Sequence, residues 1–294
     1  MMKEKISSKI MFSLSMAVFG TIGVFVKNIS VSSGELALYR ALMAILFLIV
    51  LFLIRKQKIE FGKIKKEIPL LFLSGAAMGI NWILLFQAYK YTTVSVATLS
   101  YYFAPVIVTV VCPVLFHEKM KAKDWICFIM STVGIVLITG IGDLNESSAN
   151  AKGVLFGLGA AFFYACVMLI NKFIKNVDGI NRTFLQFIAA IAVLLPYVII
   201  SGENNIKTLD KTGVVCLLVV GLIHTGVTYC MYFSSLKDLS GQKVAVLSYI
   251  DPLVAVIMSV VILNENITFI QAVGGILILG FTLLNEVSFG KKRA

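Results

Sequence analysis

The sequence predicts an all-α polytopic membrane protein, with ten transmembrane helices arranged as two inverted five-helix repeats. Three observations carry that fold class. Apolar residues make up 59% of the 294 and charged residues only 14%, against about a quarter charged in a soluble domain. The apolar residues are gathered into ten stretches, each near the roughly 20 residues that cross a bilayer. The second half of the chain also rewrites the first, so that VATLSYYFAP at 96–105 returns as VAVLSYIDP at 244–252.

The first stretch, 10–26, follows Lys3, Lys5 and Lys9, as a secretory leader would. Leader cores run about 7–15 residues to a small-residue cleavage site. This run reaches Val26 and ends in VKNIS, so it is expected as the first span. The second, 35–54, holds Arg40, and the third, 68–89, holds Asn81 and Trp82 near its middle. The fourth, 94–116, opens with the first phrase, and the fifth is 125–142. The polar run DLNESSANAK then reads as a linker, dividing the chain into 1–142, 143–152 and 153–294. The sixth and seventh spans are 153–171 and 183–201. The eighth, 213–235, sets His224, Thr225, Thr228, Tyr229 and Tyr232 at helical spacing. The ninth, 243–263, carries the second phrase, and the tenth is 268–286. These spans leave no room for a separate soluble domain.

The repeat extends beyond the phrases. KIMFSLSMAVFG (9–20) aligns with GVLFGLGAAFFY (153–164), at an offset close to that separating the phrases. Five helices per unit is an odd number, so the second unit enters the membrane from the opposite side. The halves are therefore inverted about an axis in the membrane plane, an arrangement suited to alternating access with a midplane site. Charge orients the whole. An even span count puts both termini on one face, and that face collects twenty Lys and Arg against five on the other, with Arg40 inside a span. Basic residues mark the cytoplasmic side. The net charge of +11 is thus a topology signal, and no nucleic-acid partner is expected.

With LSY…P…E closing the fourth and ninth helices, Arg40 in the second and NW at 81–82, the chain resembles the EamA branch of the drug/metabolite transporter superfamily. The resemblance implies a basket in which helices 1–4 and 6–9 surround a central cavity, with helices 5 and 10 outside. It also implies a carrier of small metabolites, often an exporter of amino acids.

Intramembrane charge is costly and marks function by default. Asp251 is the one acidic residue deep in a span. Its neighbour Pro252 has no N–H, which frees the carbonyl of Ser248. Carboxylate and carbonyl together could hold a proton, a cation or a substrate amine, or simply brace the kink. The first repeat has Ala104 at the corresponding place. Pro105 frees the Tyr101 carbonyl in the same way, and Thr98, Tyr101, Tyr102, Pro105 and Thr109 share one helical face. Arg40 could meet a carboxylate bidentately or snorkel toward the interface. Asn81 requires a cavity or a partner helix, and Trp82 offers a stacking wall. Tyr229 and Tyr249 complete the candidates for substrate binding or coupling. His224 could carry protons or only pack. Glu118 and Glu265, each thirteen residues past a phrase proline, read as helix-end caps.

The expected function is secondary active transport of a small solute, an amino acid or a relative, outward across the cell membrane. The expected partners are that solute, a proton where coupling applies, and the lipid bilayer. The chain is expected as a monomer because the inverted repeat is already fused. A polytopic membrane enzyme would need clustered carboxylates, His or Cys, and the two histidines lie far apart. A sensor or scaffold would need an output domain. The five cysteines all fall within spans without paired spacing, so no disulfide, metal or cofactor is expected.

Overall fold

Ten helices make up nearly all of the structure, a computed structural model that describes residues 8–56, 64–116, 122–139, 147–177, 179–202, 204–236, 238–239 and 241–289. Helix α1 runs Ser8–Gly20 and resumes as Ile22–Lys27. Then come α2 (Ser33–Arg55), α3 (Ile68–Tyr91), α4 (Val94–Tyr101 and Ala104–Phe116) and α5 (Ala122–Thr139). The second half holds α6 (Ser147–Asn171) and α7 (Gly179–Ser201). Helix α8 spans Lys211–Leu218, Val219–Val227 as a π-helix and Thr228–Leu236. Last are α9 (Gly241–Ser248 and Ile250–Val261) and α10 (Phe269–Phe289). Eight of these are long and apolar enough to cross a membrane, and the last two are shorter apolar helices.

Local chemistry sets the ends. Ser32 and Glu35 form a reciprocal capping box at the start of α2. Thr93 accepts from Val96 N at 3.2 Å to open α4, and Asp210 accepts from Gly213 N at 2.8 Å to open α8. The interruptions of α4 and α9 fall just before Pro105 and Pro252, where an N–H is missing from the ladder. Helix α6 begins at Ser147, so the second half of the polar run read as linker is helical. Its Asn150 donates its amide to Ile138 O (3.3 Å) and Thr139 O (2.9 Å), satisfying the last carbonyls of α5.

Packing relates the two halves by a pseudo-two-fold exchange. Helix α3 lies on α6 and α7, as α8 lies on α1 and α2, while α2 meets α7, α4 meets α9 and α5 meets α10. Each contact maps onto its partner when α1–α5 are exchanged with α6–α10. The α5–α10 pair is drawn close by glycine: a Cβ on Gly134 would stand 2.7 Å from the Gly274 carbonyl oxygen. The outer surface is apolar, with Leu53, Ile54, Ile200, Phe269 and Ile276 all exposed. Polar side chains such as Arg40, Asn81, Gln186 and His224 are buried. This reversal of the soluble pattern is what a lipid solvent requires.

Candidate functional site

A cavity of about 570 Å³ occupies the centre, within the usual range for small-molecule sites. Helices α1–α4 and α6–α9 all contribute to its wall, and no described residue of α5 or α10 does. It runs from Tyr89 and Thr98 near one face to Asn171, Arg182 and Val244 at the other, the face that carries both chain ends. Call these the linker face and the terminal face.

Side chains of both halves tie the linker face together above Tyr89. Lys27 donates to Thr92 O at 3.0 Å and lies 3.5 Å from Glu265. Glu265 accepts from Val94 N at 2.8 Å and from the Ser259 hydroxyl, capping α4 of the other half. Lys90 reaches Val31 O at 2.9 Å, and Ser33 reaches Gln87 at 2.7 Å. Glu35 also holds Asn205, accepting from its backbone N at 2.7 Å and its side-chain amide at 3.0 Å. Glu118, the matching acid of the first phrase, lies outside the described residues.

The two phrases meet face to face. Tyr102 of the first donates to the Asp251 carboxylate of the second at 2.7 Å, and its hydroxyl lies 3.4 Å from Ser248 O, the carbonyl that Pro252 leaves free. Tyr249 stands against the Tyr102 ring, with centroids 6.4 Å apart. Tyr101 stacks on Tyr164 at 5.1 Å. Asp251, Tyr101, Tyr102, Tyr249 and Pro105 all line the cavity, whereas Pro252 is buried and does not line it. Ala104, the counterpart of Asp251, packs instead against Ala161 and Ala165 of α6.

Arg40 lies in the same cavity with only 4% of its surface exposed. Its guanidinium sits 4.6 Å from the Trp82 ring centroid and 5.7 Å from that of Phe86, a cation–π seat. Its Nε donates to Thr225 Oγ1 at 2.6 Å. Trp82 in turn meets Phe187 edge-on at 5.4 Å, and Tyr229 meets Phe187 and Phe19 edge-on. Tyr89, Tyr101 and Tyr229 are each within electrostatic reach of both Arg40 and Asp251. Among the described residues no ion pair joins Arg40 to Asp251.

Two candidates stand off the cavity wall. Asn81 is buried beside Tyr101 and donates to Ala160 O at 2.6 Å, tying α3 to α6. His224 is turned toward α1, with Nε2 2.9 Å from Thr21 Oγ1 and Nδ1 3.3 Å from Val219 O. The reason lies in the π-turn. It sets His224 and Thr225 out of line with Tyr229 and Tyr232, which do line the cavity. Thr109 likewise leaves its stripe to receive the Asn285 amide of α10 at 2.6 Å. Sequence reasoning missed Gln186 and Asn171, which reach the cavity near the terminal face. The Gln186 amide nitrogen donates to Ser74 Oγ and Asn171 Oδ1, each at 2.7 Å. Their polarity within apolar spans was the available signal.

The profile of the EamA-like transporter family matches twice, over residues 7–140 and 151–286. The chain belongs to the EamA-like transporter family. The uncharacterized transporter YxxF of Bacillus subtilis (strain 168) is 29% identical over 97% of this chain and 91% of its own length. The probable amino-acid metabolite efflux pump of Salmonella typhimurium (strain LT2) is 24% identical over 61% of this chain and 62% of its own. A crystal structure with 14% identity superposes with a TM-score of 0.66 over 98% of this EamA chain and 100% of the other, a likeness of fold.

Proposed function

We propose that this EamA protein is a secondary transporter for a small zwitterionic metabolite of the amino-acid type, moved outward by alternating access. One observation carries the reading: Arg40 and Asp251, ionisable groups of opposite sign that are not paired with each other, line one cavity. An amine at Asp251 and a carboxylate at Arg40 would each supply the counter-charge the site lacks. The name of the Salmonella relative, an efflux pump for amino-acid metabolites, points the same way.

Asp251 takes the amine or a proton in turn, which couples cargo to the proton gradient. The halves 1–142 and 153–294, joined through 143–152, act as the two rocking units of a monomer in the cell membrane. Both termini are cytoplasmic, so the cavity faces the cytoplasm and the tied linker face is external.

The test uses proteoliposomes and three probes: a labelled mixture of L-amino acids, the matched amines without the carboxylate, and the matched acids without the amine. We expect only the first to accumulate against its gradient. Asp251→Asn should insert normally, lose accumulation and retain exchange. Unaltered pH-dependent accumulation in Asp251→Asn vesicles would remove the carboxylate from coupling. Equal handling of all three probes would remove the zwitterion.

A further inference from the structure

Helix α8 departs from α-geometry once, at Val219–Val227, and this is where Arg40 touches it. Elsewhere in the chain, buried hydroxyls such as Ser100, Thr109 and Thr282 bond the carbonyl four residues back. In the π-turn every such bond is one residue longer. Thr225 donates to Val220 O and Thr228 to Ile223 O, both at 2.8 Å, while His224 Nδ1 faces Val219 O. A π-turn inside an α-helix often marks a functional position. Its inserted residue turns everything beyond it by about 100° around the axis. Here the turn aims Thr225 at α2, which presses in so closely that a Cβ on Gly221 would collide with Met43.

We infer that Thr225 is the positioning residue for Arg40, and that the π-turn of α8 serves to present it. The deduction rests on the reading of Arg40 as the anion-binding group. Thr225 is fully buried, its hydroxyl proton goes to Val220 O, and its oxygen is therefore a committed acceptor for Arg40 Nε. The guanidinium is fixed at Nε by Thr225 and over its face by Trp82. Its two terminal nitrogens have no hydrogen-bond partner among the described residues, and they form the fork that suits a carboxylate. Without Thr225 the fork keeps its charge and loses its aim.

The first measurement needs no cargo. Only four arginines occur in the chain, so side-chain Nε–H signals of ¹⁵N-labelled protein in micelles are few. That of Arg40 is assigned by its disappearance in Arg40→Lys. We expect slow solvent exchange at this proton in the wild type and Thr225→Ser, and at least tenfold faster exchange in Thr225→Val. Equal protection in Thr225→Val would overturn the inference. In proteoliposomes, Thr225→Val should raise KM for the L-amino-acid mixture about tenfold, as for loss of a bond to a charged group. Turnover and the handling of matched amines should be kept, with Thr225→Ser restoring KM. An impaired Arg40→Lys beside a normal Thr225→Val defeats the positioning role. A silent Arg40→Lys, with the exchange signal still following Thr225, defeats the anion reading alone.

Discussion

Removing Glu265 should open the linker face, and the structure allows the size of the effect to be worked out. Three contacts end on this carboxylate: Val94 N at 2.8 Å, the Ser259 hydroxyl and Lys27 at 3.5 Å. Together they join the end of α1, the start of α4 and the loop after α9. A hydrogen bond to a charged acceptor contributes about 1.5–3 kcal/mol, and a part-exposed ion pair about 0–1 kcal/mol. The Glu265 side chain is 12% exposed and that of Lys27 31%, so the Val94 cap dominates. Glu265→Gln keeps an acceptor for Val94 and loses charge, which should cost the closed state about 1 kcal/mol, roughly fivefold in population. Glu265→Ala also orphans the Val94 N–H and should cost about 2–3 kcal/mol, roughly 30- to 150-fold. The assay places a single cysteine at Thr98, which lines the cavity next to the seal, in a chain freed of its five native cysteines. A thiol reagent that cannot cross lipid is then added from the linker side. Labelling should quicken in the order wild type, Gln, Ala. Labelling of the Ala variant at the wild-type rate would show that the closure is held elsewhere.

Two further outcomes follow from packing and topology. Gly134→Leu places a side chain where a Cβ would already lie 2.7 Å from the Gly274 carbonyl, so detergent-solubilised protein should lose about 1–3 kcal/mol of stability. A melting point equal to the wild type would mean that α5 and α10 can separate freely. Reporter domains fused after residue 294 and inserted within 143–152 should report opposite sides of the membrane. Agreement between the two would contradict the inverted repeat.

The sequence by itself determined the solvent, the helix count and the symmetry. A 59% apolar chain has no soluble solution, its polar breaks place ten helices to within a few residues, and an odd-numbered repeat inverts itself by arithmetic. Asp251 was also legible, because a carboxylate inside an apolar span stands out whatever it touches. The tertiary structure alone decided which polar residues share the cavity. The eighth-helix stripe assumes α-spacing throughout, and a π-turn that no local propensity announces sends His224 and Thr225 behind the wall while Tyr229 stays in it. Asn81 looked as exposed to function as Trp82, its neighbour in sequence, yet successive residues on a helix point in different directions. Asn81 meets the backbone of α6 and Trp82 meets Arg40. The contact of Tyr102 with Asp251 joins residues 149 apart. Such a pair exists only because inversion folds the two phrases onto one axis, a relation between distant segments that spacing along the chain does not encode.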